Sequence, residues 1–412
     1  SKPLHNLNKT VSNSIFSILE RNGLFRAFGN ELAEGVEDGS IDRDIIQNVG
    51  NSVWKKTIKA ANDAYKPGIF TTFAGYEFTS SVELYDNYLH RNVIFKNTKN
   101  LPERIFSRAD SLNPEKLWDW MDGLREGGVE SLAIPHNSNI SGGSAFSMND
   151  YNGGPIDEAY VNQRLRNEPL TEITQAKGTS ETHPYLSKND EWANFEAKTN
   201  VEGENLISNL KGSYVRDAYL RGLTLEFMLQ GNPYKFGLIG SSDTHVAASS
   251  FDESDFWMKV GVLDGTAENR GTVPLSEENI GRLEEYMQAF NQPDSTKTLE
   301  QGEYANTGFT QWGASGLAAV WSEENTRDSI FNAFKRKETF ATTGTRMAVR
   351  FFAGYDLEKK DLDSDSLISK AYQSGVTMGS ELLHNEDKKH PQFIIWAQQD
   401  KNSAPLQRVQ II

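Results

Sequence analysis

The stretch Phe236-Gly237-Leu238-Ile239-Gly240-Ser241-Ser242-Asp243-Thr244-His245 decides how this chain is read. A short apolar run stops at two serines and delivers an aspartate and a histidine two places apart, a spacing that sets both side chains on one side of an extended segment. Aspartate with histidine is a mixed oxygen and nitrogen donor set suited to a divalent cation. The same triplet also serves as a turn or a cap, so its neighbours matter. Two other runs share the texture: Ile69-Phe70-Thr71-Thr72-Phe73-Ala74 leads to Glu77, and Leu132-Ala133-Ile134-Pro135 leads to His136. His90 differs, since it begins the apolar run ending at Phe95 instead of closing one.

Between these runs lie patterns with helical spacing. Residues 113–125 open with Asn113-Pro114-Glu115, a capping residue followed by proline at the first helical position. Further helices are expected over 53–64, 214–229, 277–290 and 326–337, the last capped by Asn325, with helix-like apolar spacing also at Ile15, Ile18, Leu19 and Leu24. Short buried strands alternating with helices predict an α/β fold on a largely parallel sheet, either a barrel or an open sheet. In such folds the loops at the carboxyl ends of the strands converge on one rim, where Glu77, His136, Asp243 and His245 would meet. Segments 141–155 and 264–314 are rich in Gly, Asn and Glu and read as insertions. Past Gly344 the pattern turns strand-like at 347–353 and 392–397, which makes 345–412 a small β-rich C-terminal segment behind a main domain of 1–344.

Composition narrows the chemistry. The 412 residues carry 42 basic and 57 acidic side chains, a formal charge of −15, and no cysteine. Thiolate metal sites, thiol nucleophiles and disulfides are thereby excluded, and any metal must be held by His, Asp, Glu or carbonyl oxygens. No basic block suits a nucleic-acid backbone or an anionic membrane surface. No apolar run reaches the length of a membrane span, and no signal-peptide pattern opens the chain; it starts at Ser1, so a periplasmic or secreted location remains open if an upstream signal was removed.

Of the seven histidines, His5, His384 and His390 lie in polar segments and read as solvated. His183 follows the strand-like run 170–175 in a loop that brings together Lys177, Glu181 and His183, a cation, a carboxylate and an imidazole useful for binding an anion or relaying protons. A turn set by Gly178 and Pro184 explains that loop equally well. Arg346 and Arg216 are candidate phosphate or carboxylate clamps, with a surface ion pair as the alternative for each. Phosphate-loop, dinucleotide, His-Glu-x-x-His and Gly-x-Ser-x-Gly signatures are all missing, which leaves metal-assisted hydrolysis as the leading class.

The ordered set Gly75-Tyr76-Glu77, His90, Ile134-Pro135-His136-Asn137 and Ser242-Asp243-Thr244-His245 resembles the later metal motifs of the PHP superfamily of polymerase and histidinol phosphatase relatives. Longer phrases, among them Phe73 to Ser80, Lys177 to Pro184 and Trp321 to Arg327, resemble a bacterial family known as domain of unknown function 3604, over nearly the whole chain. The resemblance implies a distorted (β/α)7 barrel with divalent ions (Mn, Fe or Zn) at its strand ends. By motif Glu77 would bridge metals, and His90, His136, Asp243 and His245 would be terminal ligands. Lys177, Glu181, His183 and Arg346 would face a small anionic substrate, expected to be phosphorylated, which a metal-activated water would hydrolyse. PHP relatives open with a strand ending in His-x-His, a motif this sequence lacks, so the barrel is expected to be incomplete at the N-terminus. Three functions follow as expectations: a phosphoesterase, a PHP-like binding or scaffold protein with an incomplete metal site, or a metal hydrolase of a non-phosphate ester.

Overall fold

The structure, a computed structural model, describes residues 35, 38–83, 86–198, 210–229, 231–244, 267, 268, 271–288, 296–306, 312, 313, 315–359, 362, 366–387 and 390–412. The helical spacing read at 15–24, much of the insertion 264–314 and the candidate ligand His245 lie outside these residues.

The first described helix, α1 (Arg43–Ala64), starts where the Asp42 side chain accepts a hydrogen bond from the Asp44 amide. It buries Trp54 beside β1 (Gly75–Phe78), whose Ala74 and Phe78 flanks are fully enclosed. A small hairpin, β2 (Ser81–Glu83) and β3 (Asp86–Tyr88), then returns the chain to β4 (Arg91–Phe95). Helix α2 (Pro114–Glu126) begins as its sequence suggests, with Asn113 accepting from the Glu115 amide at 2.8 Å and Pro114 in the first turn. Its Leu117 and Met121 close one core with Val93, Phe95 and Ala133. Strand β5 (Ser131–Pro135), helix α3 (Glu158–Asn167), strand β6 (Leu170–Gln175), the short β7 (Gly178–Thr179), helix α4 (Val215–Leu229) and strand β8 (Gly237–Gly240) follow. Further on lie helix α5 (Glu277–Gln288), the hairpin β9 (Thr296–Leu299) and β10 (Gly302–Ala305), strand β11 (Leu317–Val320), helix α6 (Arg327–Arg336) and strand β12 (Thr339–Thr342).

The architecture is mixed α/β, but the expected largely parallel sheet needs correction. Strand β4 pairs antiparallel with both β1 and β5. Only β6 and β8 are hydrogen-bonded in parallel among the described strands, and α4 is the crossover between them. The reason lies in connection length: the described residues of 79–90 hold a hairpin and no helix, so β4 returns beside β1 in the opposite direction. The small sheets adjoin one another through β5 and β6 and through β8 and β12. Thr171 donates from Oγ1 to the Pro135 carbonyl at 3.4 Å, linking β6 to β5, and Thr339 donates from Oγ1 to the Leu238 carbonyl at 2.7 Å, linking β12 to β8. Leu132, Ile134, Leu170 and Ile239 from this array share a core with Phe331 and Phe334 of α6. None of the sheets closes into a barrel among the described residues.

Helix α6 carries a second correction. Its cap is Thr326, which accepts from the Ser329 amide at 3.3 Å, whereas Asn325 spends its side-chain oxygen on the hydroxyl of Thr71 at 2.7 Å. The tail of the chain contains β13 (Ala348–Gly354), flanked antiparallel by β14 (Val376–Thr377) and β15 (Gln392–Gln398), with helix α7 (Leu367–Ser374) on one side. Phe352, Leu357, Ala371 and Ile394 form its core. Among its contacts with the rest of the molecule, the Trp321 indole donates to the Val349 carbonyl at 2.8 Å beneath the guanidinium of Arg350, the Tyr372 hydroxyl donates to Glu338, and Lys235 donates to Glu381 at 3.0 Å.

Candidate metal centre

Three neighbouring strands bring three donors to one spot. Glu77 lies opposite Asn92 in the β1–β4 register, one pair from the end where His90 leads into β4. The His136 amide donates to the His90 carbonyl at 3.2 Å, so His136 stands beside His90 just beyond β5. The antiparallel sense of β4 explains why His90 begins an apolar run: its amino end shares the rim with the carboxyl ends of β1 and β5. His90 Nδ1 is 2.7 Å from Glu77 Oε1, His136 Nε2 is 3.9 Å from the same oxygen, and one ligand atom of each residue lies within 4.8 Å of the others. The two imidazoles stand edge to face at 5.6 Å, and Tyr88 packs on His90 at 4.6 Å.

The protonation states suit a cation. Burial works to raise the Glu77 pKa, but the His90 hydrogen bond, the charges of both histidines and the Thr79 hydroxyl hold it down to about 2. Burial pushes His136 down to about 3, against the attraction of Glu77, so its imidazole is neutral at physiological pH. Its Nδ1 is buried with no hydrogen-bond partner among the described residues. Two imidazoles and an ionised carboxylate within reach of one another are the donor set that Mn, Fe or Zn accepts, so a divalent cation fits Glu77, His90 and His136.

The rim continues over β6 and β8. Lys177, two residues past β6, is ion-paired with Asp243, three residues past β8. Burial pulls the Lys177 pKa down to about 8, opposed by the charges of Glu172 and Glu77. Asp243 therefore reaches the same rim through a lysine, outside the cluster of three. Two backbones here adopt left-handed conformations unusual for residues other than glycine, Asn137 with φ 56° and Asp243 with φ 52°, and such strain gathers at functional sites.

Glu172 is the residue the sequence reading missed. It stands in the middle of β6, 1% exposed, taking hydrogen bonds from the Asn137 amide at 3.3 Å and from the Ser241 hydroxyl. Burial raises its pKa to about 7, against those hydrogen bonds and the charge of Lys177. It ties the backbone after His136 to the serine that precedes Asp243 by two. A carboxylate inside the strand-like run 170–175 was the available signal.

Glu181 and His183 are not among the three clustered donors. Glu181 is bound by Arg216, which donates from Nε at 3.0 Å and also reaches Asp190 at 2.7 Å, so the ion-pair reading of Arg216 describes this contact. His183 is buried against Tyr185 and Tyr214, with its pKa lowered by burial. Arg346 is exposed, and its backbone amide donates to Asp400 at 2.7 Å. No helix among the described residues is long and apolar enough to cross a membrane.

No curated protein matches the chain, and no solved structure does. One family model does, that of the protein of unknown function DUF3604, matched over residues 1–412. With the match spanning every residue, from the Glu77 and His90 strands to the tail, the chain belongs to the DUF3604 family.

Proposed function

We propose that the protein is a metal-dependent hydrolase acting on small phosphate esters, and that it shares the PHP type of site and barrel ancestry within residues 1–344. The observation that supports this most is the convergence of Glu77, His90 and His136 from three adjacent strands, with ligand atoms within 4.8 Å of one another. A divalent ion held there would supply a Lewis acid and lower the pKa of water enough for attack at neutral pH. Glu77 balances the charge of such an ion, and His136, neutral above about pH 3, is ready to donate a lone pair. Lys177 offers an ammonium beside this centre that can bind a phosphoryl oxygen when released from Asp243. His245, next but one to Asp243 in the sequence, completes the proposed ligand set.

The test is metal analysis of the purified full chain after incubation with Mn, Fe or Zn, joined to hydrolysis of p-nitrophenyl phosphate with and without chelator. Bound metal and chelator-sensitive hydrolysis, both lost in Glu77→Ala, are expected. A chain that takes up none of the three metals and hydrolyses nothing overturns the proposal. Metal uptake with turnover of a sulfate or carboxylate ester alone would keep the metal and change the substrate.

A second reading, a binding or scaffold protein of the same ancestry, is favoured by one feature. The Lys177 ammonium lies on the Asp243 carboxylate, so a protein cation neutralises a group that the hydrolase reading assigns to a metal. Lys177→Met separates the two: it should increase metal uptake if the lysine competes with an ion, and leave uptake unchanged if it does not.

A further inference from the structure

On the helix side of the sheet lies a cavity of about 410 Å³, bounded by α2, α3, the segment 142–153, Lys211 and Arg221 of α4. Leu89 and Arg91, the chain neighbours of His90, line it. Alternation along a strand turns these side chains away from the face that His90 and Glu77 share, so the cavity is separate from the candidate metal centre.

Its floor carries an unbalanced charge. Arg91 and Arg164 are each 3% exposed, and both use the same carboxylate: Arg91 Nε donates to Glu168 Oε1 at 2.7 Å, and Arg164 Nε lies 3.2 Å from Oε2. No second carboxylate is paired with either guanidinium among the described residues. Arg164 is further occupied by the Tyr160 hydroxyl and the Ala145 carbonyl, and lies over the rings of Trp118 and Tyr234. Arg91 gives Nη1 to the Leu89 carbonyl and retains Nη2 without a protein acceptor among the described residues. Two buried cations against one anion leave a net positive charge, and buried charges are stable only when paired.

The upper walls mix charges: Lys211 and Arg221 also line the cavity, Arg221 paired with Asp217 at 2.7 Å. Glu115 and Asp150 line the cavity, Glu115 accepting from the Tyr151 amide at 2.7 Å and Asp150 from the Gly154 amide at 2.7 Å. Each retains acceptor capacity, since a carboxylate takes about four hydrogen bonds. An anion large enough to touch both carboxylates would be repelled there, whereas hydroxyl groups would be welcomed. We propose that this cavity binds a hydroxylated small molecule bearing a single anionic group, with that group on Arg91 at the floor and hydroxyls on Glu115 and Asp150 above.

The probes are glucuronate, glucose 6-sulfate and glucose 6-phosphate, with glucose as the neutral control, titrated by calorimetry into the full chain carrying Glu77→Ala so that the metal centre cannot contribute. Saturable binding of at least one acid, at least about tenfold tighter than glucose, is expected, as a charge-assisted hydrogen bond provides. Arg91→Gln should weaken it about tenfold or more. Because that substitution touches a buried ion pair, Ser144→Trp provides an independent check by filling the cavity from its wall without altering the arginines. Absence of saturable binding by all three acids, affinity equal to that of glucose, or binding kept by either cavity variant in a chain with native circular dichroism overturns the assignment.

Discussion

At the scale of single residues, Glu172 and His136 place opposite pH dependences in one site. Glu172 has its pKa raised to about 7 in the folded chain, against about 4.5 when exposed. An acid raised by folding favours the folded state while protonated, so this contribution is fully present below about pH 4.5 and lost as pH rises towards 7. Glu172→Gln keeps the acceptor for the Asn137 amide and cannot ionise. Urea denaturation of the metal-free chain should therefore find the variant more stable than the parent at pH 8, by up to about 3 kcal/mol, with the difference shrinking towards pH 4.5. An equal difference at both pH values would show that the carboxyl is not titrating between them. For His136 the sign reverses. Its folded pKa lies near 3, below the unfolded value of about 6.5, so stability is present above 6.5 and lost as pH falls towards 3. His136→Asn should flatten the acid limb of the parent's stability profile, which the same denaturation series reads directly.

Among the elements, α2 and α3 are joined to the sheet through one carboxylate. Glu168 follows α3 and binds Arg91 of β4, Arg164 of α3 and the indole of Trp118 in α2, at 2.8 Å in the last case. Glu168→Ala strands two buried guanidiniums and should cost about 3–5 kcal/mol in urea denaturation, the range for breaking a buried pair from one side. A loss under 1 kcal/mol would mean that water replaces the carboxylate. At the start of α2, Asn113→Ala removes a cap and should cost about 1 kcal/mol, whereas Asn325→Ala should leave the capping of α6 intact because Thr326 supplies it. These two helices show how far local patterns reach. Asn113-Pro114 is a complete start signal, but Asn325-Thr326 offers two adjacent capping residues, and the choice falls to Thr326 because Thr71, distant in sequence, claims Asn325.

For the whole molecule, a cation at Glu77, His90 and His136 would bind three strands of one sheet at once, and its binding energy would appear as folding stability. Thermal denaturation with Mn, Fe or Zn should move to higher temperature with metal concentration and return on chelation, and Glu77→Ala should abolish the response. A metal-induced shift undiminished in that variant would put the ion elsewhere. The same integration carries the tail: Arg350 over Trp321 and the Trp321 bond to Val349 fasten β13 to the strand array, so Trp321→Ala should expose 345–412 to limited proteolysis before the rest of the chain.

Local chemistry alone marked several of the elements and the candidate donors at run ends. Apolar runs of strand length, the Asn113 cap and the ionisable residues at run ends are written in neighbouring residues, and the absence of cysteine restricted any metal site to His and carboxylate donors. Tertiary structure decided what these meet. Strand direction is a property of pairing, so the β1–β4–β5 register gave the physical reason why His90, grouped with Glu77 and His136 only by family resemblance, stands beside them, and only the approach of β6 to β8 joined Lys177 to Asp243. Glu172 and the two arginines on Glu168 became legible through burial alone, because the energy of a charge depends on the medium and partners around it, and Asn137, Ser241 and Arg91, which lie 35, 69 and 77 positions from the carboxylates they meet, supply those contacts only after folding.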